Sequence, residues 1–289
     1  VETAETIGNV TELLSPIRSA GKTIGFVPTM GALHDGHLSL IRAARSECDF
    51  AVVSIFVNPL QFGPAEDLNV YPRTIEKDLQ ACQDAGVDLV FTPTVEEMYP
   101  SGQLTTVRVA LLSERLCGLS RPAHYDGVCT VVAKLFNIVQ PHCAYFGEKD
   151  FQQLVVIRQM TRDLNMSVDI VPCPIVRDQD GLAMSSRNAY LKKDERRRAT
   201  CLYHALVNGI SGRYQHPGDM IDAMRRQIES QGPNEIDYIR IVDPQTLQDV
   251  DSLSRPARIC LAVNFDRTRL IDNMEWLPPE SGPNRNQGR

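Results

Sequence analysis

The chain has 289 residues, 43% of them hydrophobic, with 30 basic and 36 acidic side chains and a net charge of −6. That is enough apolar material for one large or two moderate packed domains. The negative balance excludes a nucleic-acid binder working by global attraction, and no apolar stretch of about 20 residues is present to span a membrane.

The opening residues, Val1-Glu2-Thr3-Ala4-Glu5, lack the basic and apolar regions of a signal peptide, and the missing methionine predicts a processed or trimmed start. Thr23 to Val27 is predicted as a buried strand and Pro28-Thr29-Met30-Gly31 as a turn. Leu38, Leu40, Ile41 and Ala44 mark the apolar face of a following helix. His34-Asp35-Gly36-His37 therefore falls in the strand-to-helix connection, at the positive end of the helix dipole. Exposed amide N–H groups there are expected to hold an anion. Two imidazoles three residues apart, with a glycine between them, suit a polyphosphate lying close to the backbone. Taken alone the pattern is weak, and a metal site would need acidic or cysteine ligands that are not nearby. Two familiar nucleotide motifs are absent: Pro16 stands where a P-loop ending in Gly21-Lys22-Thr23 needs its first glycine, and no G-x-G-x-x-G follows the first strand.

Phe50 to Val57 is a continuous β-branched run, as in a strand buried on both faces. Asn58-Pro59 ends it, leaving Gln61, in Asn58-Pro59-Leu60-Gln61-Phe62, able to orient a hydroxyl or carboxylate. A helix over Thr74 to Ala85 leads through Gly86 to a strand at Val87 to Phe91. Arg121-Pro122-Ala123-His124-Tyr125 reads as a polar loop, with Arg121 divided evenly between a surface salt bridge and a site residue. Val128 to Val139 is predicted helical, Cys143 to Phe146 a strand, Phe151 to Leu164 a helix, and Val168 to Val176 short strands. In the joint Phe146-Gly147-Glu148-Lys149-Asp150-Phe151-Gln152-Gln153, an Asp150 N-cap paired with Gln153 at N3 would account for those two residues. It leaves Lys149, a mobile point charge, as the main electrophilic candidate.

This β-α-β rhythm predicts an α/β fold, a Rossmann-like doubly wound parallel sheet over residues 1–176, with ligands at the carboxyl ends of its strands. Arg177-Asp178-Gln179-Asp180-Gly181 is turn-like and is expected to be a hinge. A smaller C-terminal α+β domain follows over 177–277, with two helical stretches and strands near Asp237 to Val242, Ala257 to Val263 and Leu270 to Ile271. Residues 278–289 are rich in Pro, Gly and Asn and are predicted disordered. Just past the hinge, Met184-Ser185-Ser186-Arg187-Asn188 offers either ordinary caps or hydroxyl and guanidinium donors that close over a triphosphate. Arg196-Arg197-Arg198 reads as a solvated helix face, and His142, His204 and His216 as structural. The eight cysteines form no C-x-x-C pair, several lie in apolar segments, and a reducing cytoplasm is expected.

Together these clusters resemble the pantoate–β-alanine ligase family. The matching segments are Val27 to His37, Phe56 to Phe62, Tyr71-Pro72-Arg73-Thr74, Phe146 to Gln153, Gly181 to Asn188 and Arg269-Leu270-Ile271-Asp272-Asn273. Ala123 and Asp266 stand where the family usually has glycine, and Tyr125 where it usually has phenylalanine. The family belongs to the wider His-x-Gly-His nucleotidyltransferase group, in which Met184-Ser185-Ser186-Arg187 is the counterpart of a lysine-rich loop. The resemblance implies ATP-dependent condensation of (R)-pantoate with β-alanine through a pantoyl adenylate, with Mg²⁺ and a homodimer, and no nucleic-acid or membrane partner. It implies catalytic roles for His34, His37, Lys149 and Arg187. It implies ATP contacts from Met30, Gly31, Ala32, Leu33, His34, Asp35, Gly36 and His37, from Gly147, Glu148, Lys149 and Asp150, and from Val176, Met184, Ser185, Ser186 and Arg187. Pantoate would be held by Gln61, Gln153, Met30 and Phe62, and β-alanine by Gln61; no metal ligand is assigned. An adenylyl transferase acting on a phosphate, or a nucleotide sensor without catalysis, are the alternatives at this stage.

Overall fold

In the computed structural model, which describes residues 1–64 and 66–278, the chain opens with two elements not predicted above, β1 (Glu2–Ala4) and α1 (Ile7–Ser19). Thr6 caps α1 by accepting from Asn9 N–H, and Val10 and Leu14, one turn apart, are fully buried. β2 (Ile24–Thr29) runs two residues further than expected, through Pro28 and Thr29. There follow α2 (Asp35–Glu47), β3 (Phe50–Ile55), α3 (Ile75–Asp84), β4 (Leu89–Phe91), α4 (Val95–Met98) and α5 (Cys117–Ser120). α6 (His124–Val139), β5 (Cys143–Gly147), α7 (Phe151–Asp163) and β6 (Asp169–Cys173) complete this part. Part of the predicted loop at 121–125 is thus the first turn of α6. Ala123, just before it, is left-handed at φ 64°, and Asp266 sits at φ 51°. Both departures from the family pattern therefore place a side chain where glycine is freest.

The six strands lie in the order β1-β4-β3-β2-β5-β6, and all neighbours are parallel. Phe26, Val52, Val90 and Ala144 are fully buried, because helices cover both faces. α1, α6 and α7 pack on one side, and α2 and α3 on the other. The chain leaves β2 for β3 and β4 on one flank and returns to β5 and β6 on the other. The crevice at that reversal is where such sheets bind ligands. The connections after β2 and β5 carry His34–His37 and Gly147–Gln153, so two predicted clusters flank the same crevice.

The smaller part holds α8 (Lys193–Ala199), α9 (Cys201–Ser211) and α10 (Pro217–Glu229), three helices where two were expected. β7 (Glu235–Val242), β8 (Ala257–Phe265) and β9 (Thr268–Trp276) form an antiparallel sheet in sequential order. β9 is much longer than the predicted Leu270 to Ile271. Asp272 and Asn273 interrupt its apolar pattern, yet both are only 3% exposed. The predicted hinge is fastened to this part: Arg177 forks onto Asp272 at 2.6 and 2.9 Å, and Arg196 binds Asp178 and Asp180. Arg196 therefore departs from the solvated face expected of it. All eight cysteines are free thiols and seven are buried. Among the described residues no helix is long and apolar enough to cross a membrane. The predicted disorder at 278–289 lies outside the described residues apart from Pro278.

Candidate active site

A cavity of about 230 Å³ opens at the reversal of the sheet. Its walls hold Met30, His34, Gly36, His37, Gln61, Gly147, Lys149, Asp150, Gln153, Val176, Met184, Ser185, Ser186 and Arg187, drawn from segments 157 residues apart at their extremes. A second cavity of about 670 Å³ lies against the smaller domain and shares Arg121, Lys149, Asp150, Ser185 and Arg187 with the first.

His34 is the N-cap of α2. Its Nδ1 accepts from Gly36 N–H at 3.1 Å, and His37 Nδ1 accepts from His34 N–H at 3.4 Å. Each ring therefore carries its proton on Nε2, the one position left to donate. Burial pushes the His37 imidazole down to about 3, with His34 adding to the effect. His34 is lowered too, by burial first and by Lys149 second. Both rings are neutral hydrogen-bond donors near neutral pH.

The expectation of open backbone amides needs correction. Ala32 and Leu33 N–H donate to the buried Asp78 carboxylate at 2.9 and 2.8 Å, and Gly31 N–H donates to Thr29 Oγ1. With His34 and Gly36 N–H taken by imidazoles, five amides of the turn are already bonded, and the imidazoles bring side-chain donors to the same place. Gly31, Ala32, Leu33 and Asp35 accordingly do not line the cavity. Glu148 is also turned away, its carboxylate bound to Arg258 at 2.9 Å. Phe62 packs edge-on against Tyr71, ring centroids 5.8 Å apart, and it is Tyr71 that lines the wall.

Gln61 is held in one orientation. Asn58 Oδ1 accepts from Leu60 N–H and from Tyr99 Oη, so its Nδ2 donates to Gly127 O and to Gln61 Oε1. Gln61 Nε2 therefore faces Met30, with 3.0 Å to Sδ, and is the donor available to a ligand. On the other wall Asp150 is the residue before α7 but makes no side-chain cap, so the proposed Asp150–Gln153 capping pair is absent. Gln153 lines the cavity.

Arg187 forks onto Asp67 at 2.9 and 3.0 Å, and Arg121 binds Glu66. Burial works to raise both carboxyls, and the arginines more than offset it, leaving them below the ordinary carboxylate range. Arg121 is thus both an ion-pair member and a wall residue. Ser185 caps the short turn Ser186–Tyr190 by accepting from Arg187 N–H, and Ser186 Oγ donates to Ala32 O. By contrast, among the described residues Lys149 Nζ has a single carboxylate neighbour, Asp150, at 3.9 Å.

Residues not singled out by sequence also line the first cavity. Val128, Val131, Val132 and Leu135 of α6 give it an apolar floor with Phe56 and Leu40. Their helical spacing reads as core, and nothing in the pattern separates a core face from a cavity floor. His124 is another. Its Nε2 lies 3.1 Å from Arg121 Nη1, which can only donate, so Nδ1–H donates to Gln61 O at 2.8 Å. Burial, then Arg121, pushes this imidazole down to about 4.

The depressed values of His37 and His124 carry a pH signature. Each folded value lies below the ordinary 6.5, so the unfolded chain binds more protons and stability falls as pH drops below about 6.5. Chemical denaturation across pH 7 to 4 should show this loss, with proton uptake on unfolding. His124→Asn should lower that uptake by about one proton near pH 5, between the ordinary value and the folded value of about 4. An unchanged uptake would show that His124 is not held neutral.

The sequence model described as pantoate-beta-alanine ligase matches residues 2–275. Pantothenate synthetase of Ruminiclostridium cellulolyticum is 49% identical over 281 residues, covering 96% of this chain and 100% of that protein. That of Desulfatibacillum aliphaticivorans is 52% identical over 265 residues, covering 91% and 94%. Among solved structures, pantothenate synthetase from Thermus thermophilus superposes with a TM-score of 0.90 at 46% identity, covering 96% of this chain and 100% of that one. Pantoate-beta-alanine ligase from Francisella tularensis, solved in complex with beta-gamma ATP and beta-alanine, does so with 0.81 at 36% identity, covering 95% and 97%. The chain belongs to the pantoate–β-alanine ligase family.

Proposed function

We propose that this site joins (R)-pantoate to β-alanine in two half-reactions. In the first, the pantoate carboxylate attacks the α-phosphorus of ATP, giving pantoyl adenylate and pyrophosphate. In the second, the amine of β-alanine attacks the activated carbonyl and AMP leaves. A carboxylate resists an amine because oxide would have to depart; the mixed anhydride supplies AMP as leaving group. One observation carries the reading: His34, His37, Lys149, Ser185 and Arg187 meet Gln61 and Gln153 in one cavity with an apolar floor.

The first half-reaction brings an anion to a polyanion, so offsetting charge is the main task. Neutral His34 and His37 donate through Nε2 without drawing a proton from the substrate. Lys149 brings a compact positive charge to the α-phosphate side. Gln61 Nε2 and Gln153 hold pantoate's hydroxyls and carboxylate, and their lack of charge leaves the nucleophile unquenched. Met30 and the Val128–Leu135 face take its methyl groups, with Phe62 acting through Tyr71. β-Alanine enters beside Gln61. Gly147, Asp150, Val176 and Met184 lie where the ribose and adenine would rest. Arg187 and the two serines reach the phosphates once the triphosphate competes with Asp67, and the smaller domain keeps water from the adenylate.

The residues fit an Mg²⁺ carried mainly by the nucleotide. Asp150 lines both cavities with a half-exposed carboxylate, whereas Glu66 and Asp67 are committed to arginines. Among the described residues no cluster of three His, Cys, Asp or Glu exists to cage an ion. When bound, the ion would neutralise phosphate charge. A homodimer in the cytoplasm completes the proposal. The free thiols fit a reducing compartment, and the homodimer rests on the family resemblance.

The test is exchange of labelled pyrophosphate into ATP with and without pantoate, followed by β-alanine addition. Pantoate-dependent exchange and then pantothenate with AMP are expected. ATP binding without exchange would leave only a sensor, and a stable adenylylated phosphate would mark a different transferase. Within this scheme Gln153→Ala should weaken pantoate binding about tenfold, the scale of one hydrogen bond to a charged group, with ATP affinity unchanged. Equilibrium binding of each ligand checks it; equal weakening of both would remove Gln153 from the pantoate side.

A further inference from the structure

The Arg269-Leu270-Ile271-Asp272-Asn273 segment reaches the Lys149 turn from the smaller domain. Asn273, on β9, is 3% exposed. Its Nδ2 donates to two successive carbonyl oxygens, those of Glu148 and Lys149, both at 2.9 Å. Its Oδ1 accepts from Arg258 Nε at 2.7 Å, which fixes the end of the amide that faces the carbonyls. Arg258 is wedged in turn, donating to the Glu148 carboxylate at 2.9 Å and lying over the Phe151 ring at 4.4 Å. The adjacent residue, Asp272, takes the fork of Arg177. Neighbouring residues of one strand thus fasten both the 177–181 segment and the turn that carries Lys149.

We propose that Asn273 is a positioning residue for Lys149, so that the smaller domain sets the backbone from which the ammonium reaches the phosphate. This rests on the reading of Lys149 as the donor on the α-phosphate side. A carboxamide is the group this place needs. Its two N–H bonds serve two acceptors, whereas a carboxylate of the same shape would set like charge against both oxygens. Alanine would take one donor away from each of two carbonyls in a partly buried position. The Glu148–Asp150 turn is a short 3-10 segment whose only other hydrogen bond to the smaller domain, among the described residues, is from Arg258 to the Glu148 side chain. Loosening it displaces Lys149 Nζ while leaving Gln61 and its Asn58 support on the far wall untouched. Closure of the smaller domain must then pivot about this clamp, since lifting β9 away would disturb the turn.

The test is a double-mutant cycle on the intact enzyme with Asn273→Asp, Lys149→Ala and the pair, read by single-turnover adenylate formation and by pantoate affinity. Asn273→Asp is expected to slow adenylate formation about 10- to 100-fold, the scale of an ångström-sized misplacement, with pantoate affinity within about twofold. In the Lys149→Ala background it should cause no further loss, because the two act through one group. Full rate in Asn273→Asp, or losses that multiply in the pair, would overturn the proposal. If Asn273→Asp does not fold, Arg258→Gln, which frees the amide to turn over, should give a smaller loss with the same dependence on Lys149; no loss would again overturn it. Wild-type protein without pantoate-dependent exchange would instead overturn the ligase reading, and this proposal with it.

Discussion

His37→Ala should slow adenylate formation by about 10²- to 10³-fold, the scale of losing one transition-state donor. The ring donates from Nε2 because Nδ1 is committed to His34 N–H, and it stays neutral because burial pushes it down to about 3. Its contribution is thus a fixed dipole whose worth grows as charge moves onto the leaving pyrophosphate. The same substitution strips a cap from α2, which costs about 1 kcal/mol of stability, too little to mimic such a rate loss in a folded enzyme. His37→Gln, which keeps an N–H donor, should recover part of the rate. Single-turnover kinetics with saturating pantoate and ATP check the result. A near-normal rate in His37→Ala would remove the imidazole from the reaction.

Lys149→Ala should bring a loss of the same order, about 10²- to 10³-fold, for a different reason. Arg187 and Arg121 are held in close ion pairs by Asp67 and Glu66. Among the described residues Lys149 has its nearest carboxylate at 3.9 Å, and its side chain is only 18% exposed. Of these three cations it alone faces the cavity without a close counter-charge. Losing it leaves the developing charge near the α-phosphate unmatched in a poorly hydrated place, where screening is weak. Lys149→Arg should not restore the rate, because a planar fork cannot occupy the position of a compact ammonium. Pantoate affinity should move little, since its proposed partners Gln61 and Gln153 are unaffected. Quenched-flow measurement of adenylate formation decides it; full activity in Lys149→Ala would transfer the role to Arg187.

The sequence by itself determined the layered α/β plan and the strand-to-helix placement of His34–His37 and Gly147–Gln153. These are local matters: β-branched runs, helical periodicity and turn residues depend on near neighbours, and the rule that ligands collect at strand ends carries them to one edge. Only the tertiary structure decided how each group is engaged. Asp78, 46 residues from Ala32, takes the amides that the turn was expected to offer. Glu148 turns to Arg258 and Phe62 yields its place to Tyr71. The α6 floor and the Asn273 clamp look like ordinary core and an interrupted strand until other segments pack against them. A hydrogen bond is settled by the partner within reach, and for Ala32, Glu148 and Asn273 that partner lies 46, 110 and 125 positions away in the chain.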